Sequence, residues 1–110
     1  MTTVEATRYR GVPVVRLVGV LGREHTAPVE SALAEAFRCT GGRVLVDLTR
    51  TVHLHYGLAI LLVTAARCGG RLGLVGASAY VRQILQLAGA VEQGVDEYRD
   101  LGEAAREAAA

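Results

Sequence analysis

Two short runs, RVLVDL at 43–48 and RLGLVG at 71–76, are apolar on consecutive residues, not on alternate ones. Successive side chains of a strand point to opposite faces, so such a strand is stable only when both faces are covered. Each run is followed by a segment of ten or more residues with helical character, YGLAILLVTAARC and SAYVRQILQLAG. Strands joined by connections of that length run parallel, with the helix laid back over the sheet. The chain is thereby confined to the α/β class with a mostly parallel sheet.

The remaining segments extend this frame. TVEATRYR (3–10) and VPVVRLVGV (12–20) carry β-branched residues on either side of Gly11 and read as an antiparallel hairpin, with Pro13 near a strand start. In TAPVESALAEAF, Val29, Leu33, Ala36 and Phe37 share one stripe, and Pro28 falls in the first turn, predicting a helix over 26–38 that ends at Gly41 and Gly42. Ser78 is placed to cap the third helix, with Val81, Ile84, Leu85 and Ala88 on one face and Gly89 as its stop. A short strand near VDEYR precedes a last helix, where Asp100 and Glu103 have capping-box spacing. The predicted order is ββαβαβαβα, one sheet with helices packed chiefly on one side.

At 110 residues, 51% hydrophobic and 21% charged, the chain fits a single domain, 1–110, with one core. All basic residues are arginines, scattered from Arg8 to Arg106 at a net charge of +1, so no nucleic-acid footprint is expected. No apolar span or leader segment is apparent, and the expectation is a cytoplasmic protein without direct membrane insertion. Cys39 and Cys68 lack metal or disulfide spacing. They read either as small buried or half-buried residues or, if their helices are neighbours, as a redox pair.

The stretch TVHLHYGLAI (51–60) concentrates the chemistry. His53 and His55 have the spacing to share one side of an extended segment, but Zn²⁺ needs at least one more ligand and none is near in sequence. A loop that tolerates polar rings is the alternative, and no metal or cofactor is expected. No nucleophile pairs with a base at a telling spacing, Asp47 stands alone, and GGRLGLVG is not a GxGxxG loop, so no reaction is implied. Tyr9, Tyr80 and Tyr98 read as packing residues. Leu58 to Val63, with Ala65 and Ala66, leave no polar stripe on the second helix. Such a helix is either buried or covered by a partner on an outward face around Ile60, Val63 and Thr64.

Three segments together resemble the STAS domain, shared by bacterial anti-sigma factor antagonists and the cytoplasmic tails of sulfate transporters. LVGVLGREHTA is similar to the family's Gly-Glu-Leu-Asp segment and the Thr-Ala opening the first helix. RVLVDLTRTVHLHYGLAIL is similar to the strand ending Asp-Leu-Ser and the Asp-Ser-Ser-Gly-Leu loop. GGRLGLVGASAYVRQILQLAG is similar to the next strand, turn and helix. The resemblance implies a non-enzymatic regulator that binds a kinase-type anti-sigma factor through Gly22, Arg23, His25, His55, Tyr56, Gly57, Leu58, Ile60 and Val63. A small accessory subunit docking on the ATPase of a lipid ABC transporter is the alternative partner role, and a homodimer is compatible with either. The family's phosphoacceptor serine aligns with His55 counted back from Gly57, or with Tyr56 counted forward from Asp47. Neither is Ser or Thr. Gly22 and Arg23 stand where the early aspartate is expected. A phosphoserine brings nearly two negative charges to a docking surface and switches binding off; a neutral imidazole at a helix start does not imitate it. Control of this loop by kinase phosphorylation is therefore not expected.

Overall fold

A computed structural model describes residues 2–40, 42–68 and 72–109. Gly41, the Gly-Gly doublet before the second buried run, and Arg71 lie outside the described residues. Strands β1 (Thr3–Tyr9) and β2 (Val12–Leu21) pair antiparallel from Thr3↔Val18 to Tyr9↔Val12. Two residues join them, Arg10 at φ 51° and Gly11 at φ 83°. Positive φ at both central positions matches the twist of the flanking strands, which is why glycine sits there. After a 3-10 turn (Arg23–His25), helix α1 (Thr26–Thr40) leads to β3 (Val44–Asp47) and β4 (Thr51–Leu54). Helix α2 (Tyr56–Cys68), β5 (Leu72–Val75), α3 (Ala79–Leu87), β6 (Asp96–Tyr98) and α4 (Leu101–Ala109) complete the chain. The sheet runs β1-β2-β3-β5-β6, and every pairing but the hairpin is parallel.

Alternation along the buried strands feeds two cores, one on each face. Val15, Leu17, Val44, Val46, Leu72 and Leu74 meet Val29 and Leu33 of α1, Leu58 and Leu62 of α2, and Val81 and Leu85 of α3. On the opposite face Val14, Leu45 and Val75 meet Ala104 of α4, with Tyr9, Tyr98 and Leu101 around them. Three helices thus share one side, and the other side is covered by α4. Gly73 sits under this smaller core. A Cβ there would lie 2.9 Å from both Leu45 Cδ2 and Tyr98 Cε2, so the close packing of β5 requires its absence. At the α4 start Asp100 Oδ1 accepts from Glu103 N at 2.8 Å, the capping bond expected from the spacing.

The element order differs from expectation at one place: TVHL is a strand, not a loop. β2 is long enough to serve two partners in succession. Val14, Val15 and Arg16 pair with β3, and Gly19, Val20 and Leu21 pair with Thr51, His53 and Leu54 of β4, with an irregularity between Gly19 and Val20. Asp47 makes the handover. Its buried carboxylate accepts from Thr49 N at 3.0 Å and from the Thr49 hydroxyl, and takes a hydrogen bond from Arg16 Nε at 3.2 Å. This carboxylate-held turn carries the chain from one strand into the next. Thr51 then donates to Leu17 O at 2.7 Å. Cys39 is exposed, where a buried or half-buried thiol was one expectation, and the side chain of Cys68 lies outside the described residues.

Candidate partner-docking site

The fold converts the HLHY segment into two joints. His55 sits at the start of α2: its N–H donates to Leu21 O at 2.8 Å, and its carbonyl accepts from Leu58 N at 2.9 Å and Ala59 N at 3.1 Å. The imidazole lies over the first turn, with Nε2 3.2 Å from where a Cβ on Gly57 would stand. Any larger residue at 57 would press on that ring. Tyr56 opens α2 and its hydroxyl donates to Leu87 O at 3.2 Å, filling one of the carbonyls that a helix C-terminus leaves open. His53 Nδ1 is 2.8 Å from the Tyr80 hydroxyl, and the two rings stack at a centroid distance of 5.7 Å. Helix α3 is therefore tied at its start to β4 and at its end to α2. The start is also capped by Ser78 Oγ, which accepts from Val81 N at 3.2 Å.

Gly22 to His25 closes the same end of the sheet. Gly22 N donates to His25 Nδ1 at 3.0 Å and His25 N donates to Gly22 O at 3.0 Å, a compact turn ahead of α1. Because His55 N bonds to Leu21 O, this turn and the start of α2 are adjacent. The structure thus brings Gly22, Arg23, His25, His55, Tyr56 and Gly57 into one neighbourhood. Leu58 and Val63 are different. Leu58 is fully buried and Val63 is 5% exposed, so both face the larger core. The outward face of α2 is carried by Ile60, 42% exposed, and by Thr64. An all-round apolar helix gives no phase in the sequence, and the sheet alone sets which side turns in.

Two contributors have no counterpart in the sequence reading. Tyr80 is half exposed, not a packing residue, and Leu87 is 72% exposed. They are two helical turns apart on one stripe of α3, about 10 Å along its axis. Among the described residues the exposed large apolar side chains are Val20, Val52, Tyr56, Ile60, Tyr80, Leu87 and Val91. All belong to the end of β2, to β4, to α2, or to α3 and the turn after it. Of these, Tyr56 and Leu87 adjoin through the Tyr56 hydrogen bond to Leu87 O, and Ile60 lies one turn along α2 from Tyr56; contiguous apolar exposure is what marks interaction surfaces. The described residues hold no group of three His, Cys, Asp or Glu side chains placed to bind one metal ion, and His53 is engaged with Tyr80. No described helix is long and apolar enough to cross a membrane.

Comparison with known proteins gives this arrangement a family. No curated protein sequence matches the chain. Among solved structures, an anti-sigma factor antagonist from Mycobacterium paratuberculosis superposes with a TM-score of 0.79 at 20% identity, covering 100% of this chain and 96% of that one. An anti-sigma-factor antagonist (STAS) domain protein from Planctomyces limnophilus gives 0.78 at 18% identity, covering 97% and 98%. The Bacillus cell fate determinant SpoIIAA in its phosphorylated form gives 0.69 at 18% identity, covering 97% and 98%. At these identities the likeness is one of fold. The family model described as "Mlab, STAS domain" matches residues 5–95. With that span, the observed element order and the sheet topology in agreement, the chain belongs to the STAS-domain family.

Proposed function

We propose that this protein is a non-enzymatic regulator that acts by binding another protein, in the manner of an anti-sigma factor antagonist, through the face formed by β4, the start of α2 and the outer stripe of α3. The observation that carries this reading is the gathering of Tyr56, Ile60, Tyr80 and Leu87 at the exposed surface, beside a loop that aligns with the family's partner-binding loop. Polar groups there serve structure: the His55 backbone starts α2, and the Tyr56 and His53 side chains tie α3 in place. By holding an anti-sigma factor it would free a sigma factor, and its control would come from abundance or another ligand.

A second reading, an accessory subunit on the ATPase of a lipid ABC transporter, is favoured by one feature. By the family resemblance either His55 or Tyr56 stands at the acceptor position, and the Tyr56 hydroxyl is engaged with Leu87 O. A phosphate-controlled antagonist needs a free hydroxyl there; a standing subunit does not. Affinity capture from the native host with the intact chain as bait separates the readings. A kinase-type anti-sigma ATPase recovered in stoichiometric amount supports the first and a transporter ATPase the second. Recovery of neither, with the bait folded, would overturn both.

A further inference from the structure

Most described arginines are occupied. Arg16 pairs with Asp47 and Glu5, Arg38 with Glu35, Arg43 with Asp96, Arg82 with Glu97 and Arg99 with Glu103. Arg8 donates to Gly11 O and Arg10 lies over the Tyr9 ring. Arg23, Arg50 and Arg106 are exposed and make no ion pair, side-chain hydrogen bond or ring contact among the described residues; Arg106 lies on α4, which covers the other side of the sheet, and the first two remain. Both border the proposed docking face. Arg23 follows Leu21 at the turn adjoining His55, and Arg50 immediately precedes β4, its carbonyl accepting from Gly19 N at 2.9 Å. Between them lie the exposed Val20 and Val52.

Resting on the docking reading above, we infer that the partner's contact surface is acidic, an apolar strip flanked by carboxylates that meet Arg23 and Arg50. An arginine left without a partner on an apolar, partner-facing surface has its donors free for a bidentate carboxylate. Arginine and tyrosine are the side chains that most often anchor such interfaces. The negative charges nearby do not cancel this. Glu24 Oε1 folds back to 3.3 Å from His25 Nδ1 and over Gly22, at the N-terminal end of α1. Glu92 lies beyond α3, by Gly89. An anionic membrane is the competing acidic surface. Electrostatic membrane attachment draws on clusters of 4–8 basic residues, and two arginines on a face held rigid by the Tyr56 and Tyr80 hydroxyls fit a defined protein surface better.

Rates carry the test, because charges at the rim of an interface act on association and apolar anchors act on dissociation. The intact chain, the Arg23→Glu/Arg50→Glu double variant and Leu87→Glu are measured against two purified probes, the host's kinase-type anti-sigma factor and its lipid-transporter ATPase, at low and high salt. Folding of each variant is checked by circular dichroism. The expected result is association slowed about tenfold or more by the double reversal, with the salt dependence reversed. Leu87→Glu should mainly speed dissociation. Unchanged association in the double variant, with Leu87→Glu still disruptive, would overturn the acidic-partner inference and leave the docking face standing. Binding unaffected by either variant, or absent for both probes, would overturn the docking reading and this inference with it. Binding to phosphatidylglycerol vesicles that the double reversal abolishes would overturn it in favour of a membrane.

Discussion

Asp47 is the residue on which the site's geometry turns. It is 5% exposed, and its two oxygens gather Arg16, the Thr49 amide and the Thr49 hydroxyl, so that the chain leaves β3 and enters β4 at one fixed angle. Asp47→Ala removes the charged acceptor of the part-buried Thr49 amide and of Arg16 Nε and should cost about 1–3 kcal/mol. Urea denaturation of the variant measures this, and a change below about 0.5 kcal/mol would show that the turn holds without the carboxylate. Tyr56 and His53 work at the same scale for α3. Each offers one hydrogen bond, at 3.2 Å and 2.8 Å, and together they fix the helix that presents Tyr80 and Leu87.

At the scale of elements, α2 shows where an apolar helix keeps its information. Leu58, Ala59, Leu62 and Val63 turn inward and Ile60 outward, though all five look alike in sequence. Leu62→Ala should therefore lose about 2–5 kcal/mol through the cavity it leaves, whereas Ile60→Ala should stay within about 0.5 kcal/mol; equal losses in chemical denaturation would refute that orientation. The helices and buried strands were legible in the sequence because consecutive apolar residues, caps such as Ser78 and Asp100, and the turn at Arg10-Gly11 are local signals. What escaped was non-local. β4 is four residues long and is defined by the half of β2 that β3 leaves free, a pairing that no pattern within TVHL announces. The burial of Val63 and the exposure of Tyr80 and Leu87 depend on where the sheet and α2 stand relative to each helix. The neighbourhood of Gly22 with His55 was legible only through the family resemblance.

For the whole molecule, two unequal cores on either side of one sheet leave the upper edge of β4, the start of α2 and the stripe of α3 with apolar groups that no element covers. Small domains cannot bury everything, yet here Tyr56 and Tyr80 are held by hydrogen bonds to Leu87 O and His53, which suits a surface kept ready for a partner. The central claim is that this face grips another protein and performs no bond-making. The most direct measurement is the affinity of Ile60→Glu/Leu87→Glu for the partner recovered from the host, alongside its melting temperature. The expected result is a loss of at least a hundredfold in affinity with melting shifted by no more than a few degrees. Undiminished binding by a folded double variant would contradict it.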